Sequence, residues 1–440
     1  MFTNMLTSTN EAKAMWLSCF NSTKNQHHFP VTMSNPLNVS IPDNKHPGAK
    51  RRARLIVAGI ALLLGVSLAC HWVTRTKTDE QYRIECKTLS DTSQWNKLEQ
   101  LAREWTGVSA MPDEAYLYLA EAQFESGQTQ QALETLVLVP AKSPRSFAAL
   151  ITACNLQFGE LNRPMDGVET LKLMIKRKPT SISSRQRLIF FYAITLQRQE
   201  MLNAIYDAIE FRAEPPDAYV YLMLADHLSF TNGFARNSEW LESDPDSEVF
   251  QVARIVQLID NIETTENDHA KAVLERYLQT FNELRQKHPQ NTVLLVTAVE
   301  RAAKQFNVSE VDTLIQQVPL EQQDSVILRW KAWVQFQQDA FESCQELLHQ
   351  SLSQYPLDWH TWHELSACRR RLGDIEGASQ AAEIALIGKA LRKEMLQLDD
   401  ASAISTDTLR RLQQYAERCG EHRASLAIGT RLYGLKQAPI

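Results

Sequence analysis

The sequence predicts an all-α fold: an α-solenoid of paired helices, preceded by a disordered tail and one transmembrane helix. From about Asp91 onward, apolar residues recur at three- and four-residue spacing, the period of an amphipathic helix. Glycine and proline number only 14 and 16 in 440 residues, too few for a turn-rich β architecture. A chain of 440 residues also exceeds what one compact core usually holds, so several domains or an elongated array is expected.

Residues 1–54 are rich in Asn, Ser, Thr, His and Pro and show no sustained apolar period. Such a stretch buries too little to offset its ordering entropy, which predicts disorder. "LIVAGIALLLGVSLACHWV", Leu55 to Val73, then runs without a formal charge. As a helix it spans roughly 28 Å at about 1.5 Å per residue, near a bilayer's hydrocarbon thickness. Lys50, Arg51, Arg52 and Arg54 crowd its N-terminal edge, whereas Arg75 and Lys77 soon give way to Asp79 and Glu80. The basic side faces the cytoplasm by the positive-inside rule, and Trp72 sits where an interfacial aromatic belongs. Residues 55–74 therefore read as an uncleaved anchor that leaves the rest of the chain extracytoplasmic, in a bacterial periplasm. The competing readings are a cleaved signal and a buried core helix. Lipid attachment at Cys70 is disfavoured, because Ser67 and Leu68 invert the usual order of residues before such a cysteine.

The remaining organisation reads as a linker (75–90), helical repeats (91–216), a divergent helical segment (217–290), further repeats (291–435) and a short tail (436–440). In "DEAYLYLAEAQFESGQTQQALETLVLVPAKSP", Tyr116, Leu119, Ala120 and Phe124 form one stripe. Gly127 permits the turn, Ala132, Leu133 and Leu136 form a second stripe, and Pro144 closes the unit. Leu328 and Trp362 lie 34 residues apart, as do Cys344 and Ala378. Helix pairs at that period resemble tetratricopeptide repeats. Tyr116, Leu119, Ala120, Ala132, Leu136 and Pro144 match the pattern, with Gln123 where the family carries tyrosine. Trp362, Leu365, Ser366, Gly373, Ala378 and Ala382 match it again. The match is looser over 146–216 and 291–319, and the segment 217–290 departs furthest. There "FTNGFARNSEWLESDPDSE", Phe230 to Glu248, reads as a polar linker. The resemblance implies a right-handed array of about eight helix pairs that binds protein partners along its concave face.

Composition and motifs exclude several classes. A net charge of −6 gives no general attraction to nucleic acid. The cysteines (Cys19, Cys70, Cys86, Cys154, Cys344, Cys368 and Cys419) follow no disulfide or zinc spacing and read as fillers between helices. There is no phosphate loop, no GxGxxG after a strand and no GxSxG elbow. His360 and His363 share one helical face, yet Glu364 does not complete a zinc-hydrolase motif and no third ligand is apparent. No catalytic, cofactor or metal site is expected, and no small-molecule substrate.

What the resemblance implies instead is a groove formed by Arg329, Trp333, Phe336, His360, His363, Arg370, Arg371 and Arg410. Arginines beside aromatics suit an acidic or extended peptide segment, although a merely solvated face has the same composition. Glu114, Glu121 and Glu125 make the far end acidic. The function read from these features is a membrane-anchored, non-catalytic scaffold or assembly factor for a protein partner. The alternatives are an envelope enzyme with its site in 217–290, and an accessory factor for polysaccharide or lipid export.

Overall fold

The structure, a computed structural model, describes residues 77–437 apart from 229, 231 and 264–267. The expected tail and the 55–74 span lie outside the described residues. Among the described residues there are twenty α-helices, two 3₁₀ turns and no strand. None of these helices is long and apolar enough to cross a membrane. The chain is an all-α helical-repeat protein. It divides at Leu156/Gln157, inside one helix, into two compact units.

The first unit pairs α1 (Asp79–Asp91) with α2 (Trp95–Val108), and α3 (Asp113–Glu125) with α4 (Thr129–Val137). It ends within α5 (Ser146–Phe158). The expected linker 75–90 is thus largely helix. Thr78 and Gln81 form a reciprocal capping box, and α1 buries just Tyr82 and Cys86. Two inward residues are a faint periodic signal, which is why the helix escaped the sequence reading. They suffice because Tyr82 stacks on Trp105 at 5.8 Å, and Trp105 Nε1 donates to Asp79 Oδ1 at 2.7 Å. Ala115, Ala120, Ala122 and Ala132 have no exposed surface, so neighbouring helices approach closely. Gln123, in the family's tyrosine position, is buried and accepts a hydrogen bond from Thr135 Oγ1 at 2.7 Å across the pair.

The second unit continues through α6 (Pro164–Arg177), α7 (Ile182–Ile194), α8 (Arg198–Glu210), α9 (Pro216–Leu224), α10 (Gly233–Ser243), α11 (Glu248–Glu263) and α12 (Asp268–Lys287). Then follow α13 (Thr292–Lys304), α14 (Val308–Gln316), a 3₁₀ turn (Leu320–Gln322), α15 (Ser325–Gln337) and α16 (Phe341–Gln354). It closes with α17 (Trp359–Arg371), α18 (Ile375–Met395), a second 3₁₀ turn (Ala401–Ala403), α19 (Thr406–Cys419) and α20 (His422–Gln437).

A common turn joins many of these pairs. It holds Gly127, Gly373 and Gly420 at φ near +80°, but Ser93, Asn162, Leu196, Phe306 and Asp339 occupy the same left-handed position in other pairs. Ser93 and Gly127, Asn162 and Leu196, and Asp339 and Gly373 each lie 34 residues apart. The geometry therefore repeats where the glycine does not, at a cost of about 1–2 kcal/mol for each side chain so placed.

The stretch read as a polar linker, Phe230 to Glu248, is mostly α10. Trp240 is 1% exposed and lies 5.5 Å from Phe191 and 5.2 Å from Phe250, centroid to centroid. Asn237 is fully buried and donates to the Ile194 carbonyl at 3.1 Å, as does Gln257 at 2.8 Å. A Cβ on Gly233 would fall 1.4 Å from Gln257 Oε1, so this glycine makes room for the buried amide. Cys86, Cys154, Cys344 and Cys368 are buried and form no disulfide, and Cys419 is half-buried. Trp240→Ala should therefore cost about 3–5 kcal/mol of unfolding free energy in urea titration. A loss below about 0.5 kcal/mol, the usual range for a surface residue, would return this stretch to the status of a linker.

Candidate functional site

The second unit folds back on itself, bringing α8 and the turn after α9 against helices far along the chain. Arg198 opens α8 and makes three polar side-chain contacts. Its Nη1 meets Asp324 Oδ2 at 2.8 Å, Nη2 meets Ser325 Oγ at 2.9 Å, and Nε meets the Ala225 carbonyl at 2.6 Å. Tyr206 Oη donates to Glu421 Oε2 at 3.2 Å, and the Arg423 guanidinium lies 3.9 Å from the Tyr206 ring centroid. Arg392 Nε meets Asp226 Oδ2 at 2.8 Å, and the buried Tyr355 hydroxyl donates to the Leu222 carbonyl. α9 itself packs on α18 and on the second 3₁₀ turn.

Beside this return lies a cavity of about 1440 Å³. Its walls come from α8, residues 225–228, α11, the α12–α13 connection, α13 and the turn leading into α15. Leu202, Val249, Val256, Val293 and Val296 supply apolar surface. The charges are one-sided. Glu200, Asp207, Glu210, Asp226, Glu248, Asp260, Glu300, Glu321 and Asp324 line it, against Arg198, Lys287 and Arg423. Three of these carboxylates have arginine partners, Asp207 with Arg185 (2.6 Å), Asp226 with Arg392 and Asp324 with Arg198, and two lie against imidazoles, Glu248 on His288 (3.0 Å) and Asp260 on His227 (3.5 Å). Among the described residues, the side chains of Glu200, Glu210, Glu300 and Glu321 make no hydrogen bond or ion pair. Burial raises the Asp260 pKa, His227 opposes the rise, and Glu300 adds to it.

None of the eight residues expected to form a groove lines this cavity. Arg329 is buried, with its guanidinium 3.4 Å from both Asp358 and Glu364. His360 Nδ1 lies 3.2 Å from Asp226 Oδ2 and 3.6 Å from Asp358 Oδ1. These two expected binders are instead structural members of one ion-pair network. Burial alone would raise the Asp358 and Asp226 carboxyls. Arg329 and His360 hold Asp358 well below the usual range, and His360 and Arg392 lower Asp226. The same two carboxylates raise the His360 imidazole against its burial. Glu364, pressed by burial and by Asp358 with Arg329 and His360 opposing, is pushed up to about 7.

Trp333 and Phe336 pack, half-buried, against Trp330 and Phe341. His363, Arg370 and Arg371 are exposed on α17, with Arg371 5.6 Å from the Phe341 ring, and Arg410 pairs with Asp407 on α19. The expected single groove is thus divided among a buried network, a core contact and two exposed helix faces. Among the described residues no three or more His, Cys, Asp and Glu side chains are placed to hold a metal ion. Trp362 donates Nε1 to the Pro356 carbonyl at 2.8 Å and packs on the core around Leu348 and Leu365.

The acidic end expected from Glu114, Glu121 and Glu125 also turns inward. Glu114 is buried and salt-bridged to Arg83 and Arg145, at 2.9 and 3.3 Å. Glu121 is 9% exposed, and burial pushes its carboxyl up to about 7 despite a hydrogen bond from Ser90 Oγ. Sequence reasoning missed the cavity because its acids are scattered over several elements without a motif. The one available signal was the divergence of 217–290, which contributes Asp226, His227, Glu248, Asp260, Lys287 and His288.

Residues 114–146 match the tetratricopeptide repeat family model, so the pair α3–α4 is a repeat of that type. Similar solved structures include the human IFIT1 dimer with m7Gppp-AAAA, at 13% identity over 77% of this chain and 72% of that one, TM-score 0.31. The APC/C hetero-tetramer Cut9–Hcn1 is 12% identical over 76% of this chain and 64% of that one, TM-score 0.32. A tetratricopeptide repeat protein from Parabacteroides merdae is 12% identical over 58% and 98%, TM-score 0.29. None of these likenesses bears on what the chain binds. No curated protein matches it.

Two stability measurements check the electrostatics. Asp226→Ala leaves Arg392 and His360 facing an empty site and should cost about 3–5 kcal/mol, as removal of one member of a buried pair does. Glu121 binds a proton in the folded chain between pH 4.5 and about 7, where the unfolded chain has lost it, so stability falls as pH rises through that window. Glu121→Gln should flatten this slope and gain on the order of 2–3 kcal/mol at pH 8, read from urea titrations at pH 5 and pH 8.

Proposed function

We propose that this protein is a non-catalytic helical-repeat scaffold or assembly factor that holds a segment of a partner protein in the cavity of its second unit. The cavity carries the reading. At about 1440 Å³ it exceeds the 300–1000 Å³ typical of small-ligand sites. It also alternates apolar and charged surface from several elements, as a peptide-binding groove requires. The repeat match at 114–146 supports protein recognition as the task. The apolar run 55–74 with its basic collar supports a single-pass anchor, N-terminus cytoplasmic and repeats extracytoplasmic. The partner is then membrane-proximal, and the acid-lined cavity replaces the arginine groove as its seat.

Photo-crosslinking in cells tests this. p-Benzoylphenylalanine at Gln199 or Val296, both on the cavity, should give discrete protein adducts, whereas the same residue at Ile375, exposed and outside it, should not. Adducts at Ile375 with none at either cavity position would remove the cavity from the binding surface.

A further inference from the structure

The scaffold reading leaves the chemistry of the bound segment open, and the cavity wall narrows it. Two independent features converge. The first is uncompensated charge: the side chains of Glu200, Glu210, Glu300 and Glu321 line the cavity with no hydrogen bond or ion pair among the described residues. The second is apolar surface set between those charges, from Leu202, Val249, Val256, Val293 and Val296. Asp260, half-buried in the same wall, meets His227 Nε2 at 3.5 Å, with burial and Glu300 raising its pKa and Lys304 and Arg301 opposing. An occupant that pairs cations with apolar side chains therefore complements the wall in both charge and polarity.

We propose, building on the scaffold reading, that the occupant is an extended, lysine- or arginine-bearing segment of the partner with apolar residues between its charges. The cations neutralise Glu300 and the other unpaired glutamates, and the intervening apolar side chains cover the valine-lined wall. An extended strand advances about 3.3 Å per residue and sends alternate side chains to opposite sides, which matches a wall of mixed acid and valine. Acidic segments, including the one expected from the arginines of α17, are repelled.

Fluorescence anisotropy on the full-length chain in detergent tests this with three labelled decapeptides that alternate valine with lysine, serine or glutamate. The lysine peptide should bind about tenfold or more tighter than the serine peptide, and 0.5 M NaCl should erase most of that margin. The glutamate peptide should not bind measurably. Glu200→Gln/Glu300→Gln/Glu321→Gln, with unchanged circular dichroism, should weaken the lysine peptide about tenfold. Arg370→Glu/Arg371→Glu should leave it unchanged. Equal affinity for the lysine and serine peptides, or an indifferent triple variant, overturns the proposal. So does spermine binding as tightly as the peptide, which would make the cavity a small-polycation site. If cavity crosslinks persist while charge proves irrelevant, the inference about chemistry fails alone. If the crosslinks vanish as well, the scaffold reading goes with it.

Discussion

A helix with no polar face has to be covered on every side, and α9 is such a helix. Every residue from Ala218 to Leu224 is at most 6% exposed, with Tyr219 and Tyr221 among the most deeply buried side chains of the molecule. In an open array each helix pair touches only its neighbours and keeps one face in water. Nine residues of "PDAYVYLML" cannot be accommodated that way. The chain solves the problem by returning, so that α18 and the 401–403 turn lie against α9 in addition to its sequence neighbours α7 and α8. The fold-back of the second unit is thus dictated by a local hydrophobic requirement.

Burial of α9 fixes that the return occurs, and charge fixes where. Asp226 follows the helix directly, with a side chain 2% exposed between His360 and Arg392. Left alone, such a carboxylate would protonate; with these partners it stays ionised. Arg198 does the same work at the other edge, reaching Asp324, Ser325 and the Ala225 carbonyl together. A buried pair of this kind contributes little net stability compared with apolar packing, but a misregistered one strands a charge in low dielectric. These contacts therefore act on register more than on stability. The cavity exists because the registered return brings α8 to one side of a space whose other walls are α11, α13 and the entry to α15.

This explains what the sequence disclosed and what it withheld. Paired helices, the 34-residue spacing and the alanine contacts at Ala120 and Ala132 depend on neighbours a turn or a repeat away, and periodicity reads those directly. Turns were less legible: Leu196, Phe306 and Asp339 adopt the left-handed conformation that Gly127 and Gly373 adopt, and nothing in those side chains announces it. The divergent segment was visible as divergence but not as cause. α9 lacks the repeat pattern because it lacks a solvent face, and Trp240 sits in a polar-looking stretch because its partners Phe191 and Phe250 come from elsewhere. Assigning groove faces from repeat positions assumes that each side chain stays free, whereas Arg329 is buried against Asp358 and Glu364 and His360 turns toward Asp226.

The sign of the cavity follows from that diversion of arginines. Arg185, Arg198, Arg329 and Arg392 each satisfy a carboxylate within the fold, and three of those carboxylates, Asp207, Asp324 and Asp226, border the cavity. Guanidinium groups suit such work because they remain charged when desolvated and can serve several acceptors from one planar fork. Once they are committed, the wall retains lysine only as the exposed Lys287, while Glu200, Glu210, Glu300 and Glu321 stay uncompensated. A net charge of −6 spread over 440 residues would predict nothing about any one surface. The local excess instead arises because the cations that hold the second unit closed are taken from the face that the closure creates.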